Sequence, residues 1–217
     1  MEFPRREQWR KLDRDSPREL YFDVLRAAVS EYYLADPSNP YQQSGRSSGA
    51  ERWEETRRGF VQALHRSGDF LDIGCANGLL LESLMAWAGQ AGITLCPHGL
   101  DFVAELIELA RQRFPNHQDS FIVANAFHWT PARQFDFVRT NLEYVPVRDW
   151  TTFLHRQYAA VRTGGRLIVC HYLSPDEPYV DPGPVVERAG YVVGGRIGGP
   201  VNAVWVERPE VVDGIQS

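Results

Sequence analysis

The sequence predicts an α/β fold: a doubly wound, mostly parallel, seven-stranded sheet with an antiparallel C-terminal hairpin, plus an N-terminal helical lid segment. From residue 69 onward, short apolar runs alternate with segments of helical period, which is typical of a parallel sheet with crossover helices. Near the end, the runs 190–197 and 201–208 flank a Gly-Gly-Pro turn, which indicates a hairpin. We therefore divide the chain into an extension (1–68), a main domain (69–208) and a tail (209–217).

The extension is expected to be helical on both sides of a loop. Ser16-Pro17-Arg18-Glu19 predicts a helix start with Ser16 as cap, and apolar residues at helical spacing carry the helix to about Tyr33. Residues 35–49 are rich in Pro, Ser, Asn and Gly and form a loop. This loop is either a linker or a lid that closes over a ligand. A second helix is predicted from about Ala50 to His65.

The main domain begins with a strand at 69–74. The further predicted strands are 93–101, 121–125, 135–141 and 166–172, and the predicted helices are 77–88, 102–114, 149–161 and 184–189. Pro97 has no backbone N–H to donate to the hydrogen bonds between strands, so it predicts an interruption or an edge in the second strand. Gly164 and Gly165 are expected to stop the helix 149–161.

Composition narrows the class of protein. Hydrophobic residues make up 43% and charged residues 24%, as in ordinary globular proteins, and the net charge of −5 argues against nucleic acid as a partner. Three cysteines without C-x-x-C spacing suggest neither a disulfide framework nor a zinc site, so no metal is expected. No signal peptide or membrane-spanning run is evident. We expect a cytoplasmic protein with no membrane partner, as a monomer or homodimer.

A glycine-rich turn organises the main domain. The apolar run at Phe70 ends in Asp72-Ile73-Gly74, and Gly78 precedes an apolar helix. Glycine has no Cβ, so Gly74 and Gly78 permit positive φ and a close approach of the backbone to a ligand. The dinucleotide pattern G-x-G-x-x-G is absent. An acidic residue before the turn favours a cationic ligand and would repel a diphosphate at the helix N-terminus.

This turn resembles the first motif of the class I S-adenosylmethionine-dependent methyltransferases. Asp72, Gly74 and Gly78 match the motif, and Ala76 replaces its middle glycine. The resemblance covers residues 69–173 by motif and extends to about 208 by strand pattern. It implies S-adenosylmethionine as cofactor, S-adenosylhomocysteine as product and in-line methyl transfer to a small-molecule acceptor.

The resemblance also implies cofactor contacts at the strand ends, where doubly wound sheets bind ligands. Asp72 would accept a hydrogen bond from the methionine ammonium, and Asp101 would accept hydrogen bonds from the ribose hydroxyls. Asn125 would accept a hydrogen bond from the adenine amino group, and Arg46 would bind the methionine carboxylate. Phe102 would lie against adenine. The complete predicted set is Asp72, Gly74, Cys75, Ala76, Asn77, Gly78, Asp101, Phe102, Asn125, Ala126, Phe127, Asn141 and Arg46. Alternatively, Asp72 caps the turn and Phe102 belongs to the core.

A general base is needed only if the acceptor loses a proton during transfer. The candidates are His171 after the fifth strand, Glu143 after the fourth and Tyr41 in the loop, with His128 as a further possibility. Each of these residues also has a purely structural interpretation. Aromatic residues are dense near the predicted strand ends, which favours a small, partly apolar or aromatic acceptor.

Two other functions stay open at this point. One is an NAD(P)-dependent oxidoreductase, which also uses a glycine-rich turn followed by a later acidic residue. The other is a catalytically silent S-adenosylmethionine-binding subunit of a larger enzyme. Binding of NAD rather than S-adenosylhomocysteine would identify the oxidoreductase. Binding of S-adenosylhomocysteine without methyl transfer to any acceptor would identify the silent subunit.

Overall fold

The computed structural model describes residues 16–45, 49–172, 180–198 and 200–210. Its centre is a seven-stranded sheet in the order β3-β2-β1-β4-β5-β7-β6. The strands are β1 (Gly68–Ile73), β2 (Leu95–Asp101), β3 (Phe121–Val123), β4 (Phe135–Asn141), β5 (Val161–Cys170), β6 (Gly195–Ile197) and β7 (Ala203–Glu207). β1 to β5 are parallel, and β7 runs antiparallel to both β5 and β6. The predicted fold class is confirmed.

Six α-helices are seen in the described part of the chain. They are α1 (Arg18–Tyr33), α2 (Gly49–Arg57), α3 (Leu79–Gly89), α4 (Ala104–Arg113), α5 (Trp150–Ala159) and α6 (Pro182–Arg188). Short 3₁₀ turns at Gln42–Ser44 and Leu142–Tyr144 shape the loops beside the site. None of these helices combines the length and apolar character that a membrane crossing requires.

The order of the strands fixes where a ligand can enter. β1 pairs with β2 on one side and with β4 on the other, so the direction of winding reverses between β1 and β4. The loops that leave these two strands diverge to opposite faces of the sheet and leave a crevice at its carboxyl edge. The glycine-rich turn after β1 and the turn after β4 border this crevice.

Both faces of the sheet are covered, because adjacent residues of each central strand point to opposite sides. Phe70 and Phe137 pack with α3 and α4 in one cluster, while Leu71 and Val138 pack with α5 and α6 in another. This explains why the central strands read as nearly continuous apolar runs. The crevice is therefore held between two rigid cores.

Helix α1 lies over the loops that follow β3 and β4. Its buried residues Tyr21, Phe22 and Leu25 pack against residues that include Phe127 and Val145. Arg18 makes a bidentate ion pair with Asp149, with N–O distances of 2.7 and 2.8 Å. The N-terminal helix is thus fastened directly above the carboxyl edge of the sheet.

Some predicted boundaries were wrong. The helix predicted from Ala50 to His65 ends at Arg57 and continues as a 3₁₀ turn, because Gly59 packs closely against side chains of the C-terminal hairpin. Gly164 and Gly165 do not stop a helix. They lie inside β5, where Gly164 has a positive φ of 72° and the pairing with β4 shifts register. The first helix is preceded by Pro17, and Ser16 makes no side-chain cap.

Pro97 lies in a continuous strand, paired with Phe70 of β1. The predicted interruption of the strand is absent. The predicted edge is present, because β3 pairs only with Gly99–Asp101 and does not reach Pro97. At Pro97, β2 therefore has a neighbouring strand on one side. Asn125, predicted to end the third strand, lies two residues beyond it. The predicted cofactor residue Arg46 lies outside the described residues.

Candidate functional site

An open cavity of about 330 Å³ lies in the crevice at the carboxyl ends of β1 and β4. The extension, the glycine-rich turn and the two strands all contribute to its wall. Its lining residues are Tyr33, Ser44, Trp53, Arg57, Asp72, Gly74, Cys75, Ala76, Leu80, Arg139, Tyr144 and Tyr172. Four of these are aromatic and three carry charge, so the cavity suits a small ligand with both flat apolar and ionic parts.

The glycine-rich turn is held in a left-handed conformation at three positions. The φ angles are 72° at Gly74, 49° at Ala76 and 76° at Gly78. A Cβ on Gly74 would overlap the ring of Tyr144, so this position requires glycine for space as well as for φ. Ala76 is the sole non-glycine residue with positive φ in the described chain, and its backbone N–H donates to Asp101 Oδ2 at 3.0 Å. The carboxylate of Asp101 thus stabilises a strained residue of the turn.

Asp72 and Arg139 form a buried ion pair beneath this turn. Arg139 Nη1 donates to Asp72 Oδ1 at 2.9 Å, and the side chains are 2% and 1% exposed. Arg139 also donates to the hydroxyl oxygens of Tyr144 and Tyr172. Burial raises the pKa of the Asp72 carboxyl, and the guanidinium opposes that rise. The acidic residue that precedes the turn is therefore already partnered within the protein.

Arg57 brings a second guanidinium to the cavity. It is 4% exposed, and its Cζ lies 4.0 Å from the centre of the Tyr172 ring and 5.3 Å from that of Trp53. Its Nη1 donates to the carbonyl oxygen of Thr56 at 3.0 Å. Burial raises the pKa of Tyr172 to about 12, so this phenol keeps its proton at neutral pH.

Asp101 at the end of β2 accepts two backbone hydrogen bonds, from Ala76 at 3.0 Å and from Val103 at 2.9 Å. The side chain is buried, and burial raises its pKa from 3.8 to about 6, although these hydrogen bonds oppose the shift. Each carboxylate oxygen has a second lone pair, so Asp101 can hold the turn and still accept from a ligand. Its ionisation falls close to physiological pH.

Asn77 fastens the extension to the glycine-rich turn. Its amide nitrogen donates to the carbonyl oxygen of Pro40 at 3.0 Å and to Gln43 Oε1 at 3.1 Å. Its oxygen accepts from the Ser44 hydroxyl and from the Leu79 backbone. The loop that was predicted to be either a linker or a lid is therefore attached to the turn and forms part of the cavity wall.

With this geometry established, comparison with known proteins decides the type of domain. Residues 70–165 match the family described as methyltransferase domain. The chain thus contains a methyltransferase domain. A trans-aconitate 2-methyltransferase from Rhodopseudomonas palustris (strain BisB5) is 36% identical over 107 residues, which are 49% of this chain and 40% of that relative. The match thus spans less than half of the relative's length.

Solved structures show the same fold at low sequence identity. The 1,6-didemethyltoxoflavin-N1-methyltransferase of Burkholderia thailandensis, solved with S-adenosylhomocysteine, has a TM-score of 0.59 and 16% identity, covering 90% of this chain and 93% of that one. A TehB-like methyltransferase from Corynebacterium glutamicum has a TM-score of 0.54 and 18% identity, covering 73% and 95% of the two chains. Both likenesses cover a larger share of the chain than the matched domain does.

The methyltransferase domain brings several of the predicted cofactor residues together. Asp72, Gly74, Cys75 and Ala76 line the cavity. Asp101 touches the same turn from behind, and Gly78 closes it. Phe102 is partly buried against two apolar clusters beside α1, which also agrees with its alternative interpretation as a core residue.

Other predicted cofactor residues engage the protein itself. Asn125 Oδ1 accepts from the Phe127 backbone at 2.9 Å, and Phe127 belongs to the cluster under α1. The carbonyl oxygen of Ala126 accepts from Gln157. Asn141 is 1% exposed and exchanges hydrogen bonds with Glu143 at 3.0 and 3.1 Å. Their cofactor roles stay predictions.

The predicted catalytic residues Tyr41, Glu143 and His171 are absent from the cavity lining in the described part of the chain. Tyr41 packs on Trp53, with ring centres 6.0 Å apart, and the Glu143 backbone accepts from Tyr21. His171 is buried beside Asn202: its backbone N–H donates to the Asn202 carbonyl oxygen, and the Asn202 side-chain amide donates to the His171 carbonyl oxygen. His128 is exposed and lies 3.1 Å from Glu19. Their catalytic roles also remain predictions.

The sequence reasoning missed both arginines of the cavity, Arg57 and Arg139. The aromatic lining residues Tyr33, Trp53, Tyr144 and Tyr172 belong to the aromatic set that the sequence placed around an acceptor. Arg139 had a readable signal, because a charged residue that follows Phe137 and Val138 inside a buried strand must have a partner. Arg57 gave no such signal, because the sequence places it among the charged residues of a helix.

A separate group of potential metal ligands lies at the amino ends of β1 and β2. Asp69, Cys96 and His98 bring their donor atoms within 4.8 Å of one another in the described chain. The Asp69 carboxylate is already satisfied, since it contacts His98 at 3.3 Å and pairs with Arg133 and Arg162. Two guanidiniums on one carboxylate make this group an ion-pair network that disfavours a cation.

Proposed function

We propose that this chain is an S-adenosylmethionine-dependent methyltransferase that transfers a methyl group to a small-molecule acceptor. The observation that carries the proposal is the cavity that Asp72 and Gly74 help to line at the switch point of a methyltransferase domain. A sulfonium donor is already activated, so the protein mainly has to align the acceptor, methyl carbon and sulfur. The product is S-adenosylhomocysteine.

The turn and its neighbours would hold the cofactor. Gly74 and Ala76 expose backbone at the cavity wall, and Asp101 retains lone pairs for the ribose hydroxyls. Asp72 Oδ1 accepts from Arg139, which leaves Oδ2 for the ammonium of the methionine portion. This arrangement supports a ligand that carries an ammonium beside vicinal hydroxyl groups.

The acceptor would occupy the part of the cavity that the aromatic residues enclose. Trp53, Tyr144 and Tyr172 present ring surfaces, and the attached loop narrows the opening. These ring surfaces support a small acceptor with a flat or apolar part. Tyr172 and Tyr144 are not bases at neutral pH, because burial raises the pKa of Tyr172 to about 12 and that of Tyr144 well above its usual value. The protein's contribution is therefore alignment and exclusion of water.

Calorimetry followed by a transfer assay tests this proposal. The protein is titrated with S-adenosylhomocysteine and with NAD⁺, and then incubated with methyl-labelled S-adenosylmethionine and a panel of small acceptors that includes trans-aconitate. We expect binding of S-adenosylhomocysteine, no binding of NAD⁺ and labelled product from at least one acceptor. Binding of NAD⁺ alone would support the oxidoreductase instead, and binding without transfer would favour a silent cofactor-binding subunit.

A further inference from the structure

The ring of Tyr144 covers one face of Gly74, the glycine that ends the first strand of the site. A Cβ built on Gly74 would overlap the phenol carbon and oxygen of Tyr144, so the end of the ring lies directly against the glycine. Both residues line the cavity. The space that a side chain at position 74 would fill is therefore taken by Tyr144 and is closed to a ligand.

The hydroxyl of Tyr144 also stands beside Asp72. It accepts a hydrogen bond from Arg139 Nη1 at 3.2 Å, and the same nitrogen donates to Asp72 Oδ1 at 2.9 Å. The hydroxyl donates in turn to the carbonyl oxygen of Gly74 at 3.4 Å. Tyr144 thus lies at both residues, Asp72 and Gly74, to which the proposed function assigns cofactor contacts.

The backbone around Tyr144 is held more firmly than its side chain. The preceding carbonyl oxygens are both fixed by other elements, since that of Leu142 accepts from Trp150 Nε1 and that of Glu143 accepts from the Tyr21 hydroxyl, each at 3.0 Å. The two hydrogen bonds of the Tyr144 hydroxyl, at 3.2 and 3.4 Å, are long for their type. The ring can therefore leave Gly74 by rotation of the side chain, with the turn left in place.

We propose that Tyr144 is a gate residue, whose ring closes the face of Gly74 in the ligand-free protein and rotates away when the cofactor enters. This rests on the proposed function, which places the cofactor at Asp72 and Gly74. Entry breaks the hydrogen bonds of the Tyr144 hydroxyl to Arg139 and Gly74. Because only molecules with the ring displaced can bind, the closed state lowers the apparent rate of association.

Matched variants separate a gate from a residue that holds the ligand. Y144F keeps the ring and removes the hydrogen bonds that hold it closed, and Y144A removes the ring itself. The control is Y158F, because the Tyr158 hydroxyl also donates to a backbone carbonyl oxygen at 3.4 Å, that of Glu207, and Tyr158 lies outside the described cavity lining. Thermal unfolding is recorded for each variant.

Surface plasmon resonance on immobilised protein measures the association and dissociation rate constants of S-adenosylhomocysteine. We expect Y144F to raise the association rate constant about 2-fold to 10-fold, the range for losing one hydrogen bond that stabilises the closed state. Y144A should raise it at least as much, and Y158F should leave it unchanged. A residue that held the ligand would instead raise the dissociation rate constant in Y144F without faster association.

If neither Y144F nor Y144A associates faster than the wild type, the gate is overturned and the proposed function stands. A co-crystal of the wild type with S-adenosylhomocysteine in which the Tyr144 ring still covers Gly74 would overturn it equally. Faster association in Y144A alone would support a gate that ring packing holds closed. Failure of the wild type and every variant to bind S-adenosylhomocysteine would refute the proposed function, and the gate with it.

Discussion

Asp72 at the end of β1 and Arg139 in β4 form an ion pair at 2.9 Å that is almost completely closed to solvent. The two strands are neighbours, and Asp72 and Arg139 are direct partners in their register. The sequence argument treated the Asp72 carboxylate as a free charge facing a ligand. The structure instead gives it an internal cation and leaves one oxygen for other contacts.

Removal of one member of this pair should destabilise the fold strongly. R139Q leaves Asp72 buried without its cation, and we expect a loss of about 3–5 kcal/mol in the free energy of unfolding. The double variant D72N/R139Q should recover part of this loss, because it removes both charges. Urea unfolding measures both values.

The control for this prediction is R26Q, which disrupts an exposed ion pair between Arg26 and Asp23. Exposed pairs contribute about 0–1 kcal/mol, so R26Q should change stability little. Equal effects of R139Q and R26Q would show that the buried pair is not a major contributor.

Cofactor affinity should fall at mildly acidic pH because of Asp101. Its pKa is raised by burial to about 6, and ribose hydroxyls donate to the ionised form. If the ligand requires that form, affinity for S-adenosylhomocysteine falls about tenfold between pH 7 and pH 5. Calorimetry across this range checks the slope, and D101N should bind weakly with a flatter profile.

The raised pKa of Asp101 affects folding stability in the opposite direction to cofactor affinity. The folded protein holds the Asp101 proton more tightly than the unfolded chain, whose Asp has a pKa of 3.8. This carboxyl therefore contributes most to stability below about pH 4, and the contribution is lost as pH rises through about 6. D101N should remove that part of the pH dependence. An unchanged profile in D101N would assign the dependence to other groups.

Gly74 should tolerate no side chain. G74A places a Cβ into the Tyr144 ring at a φ of 72°, so we expect a loss of stability of about 1–3 kcal/mol and weakened binding of S-adenosylhomocysteine. The matched control is G89A, since a Cβ at Gly89 meets nothing within 4 Å. G89A should be neutral or stabilising by up to about 1 kcal/mol. Similar effects of the two substitutions would contradict the tight contact at Gly74.

Asn77 should govern how firmly the extension is attached. N77A removes its contacts with Pro40, Gln43 and Ser44, and we expect a loss of about 1–3 kcal/mol. Hydrogen exchange followed by mass spectrometry should show faster exchange in residues 39–45 while β1 and β4 stay protected. Exchange that rises equally throughout the chain would indicate a global loss of stability instead.

Much of the fold could be predicted from the sequence because each strand of the central sheet has its own apolar signature. The hairpin, the order of strands and helices, and the turn at Gly74 follow from local patterns. The prediction that Gly164 and Gly165 stop a helix was wrong. These glycines serve a register shift between β4 and β5, which depends on a neighbouring strand that no local pattern reveals.

The site was harder to predict, because its charges are set by pairing across the fold. Asp72 and Arg139 are 67 residues apart, and Asn77 meets Gln43 from 34 residues away. Spacing identified the turn but not what surrounds it. The loss of regular helix after Arg57, which places that residue at the cavity, likewise depends on packing of Gly59 against the hairpin.

A crystal structure of the wild-type protein with S-adenosylhomocysteine tests the central claim most directly. We predict that the amino-acid portion lies in the cavity between Gly74 and Arg57, with the ribose hydroxyls on Asp101. Nucleoside density at any other position, or an empty cavity at saturating ligand, would contradict the proposed site.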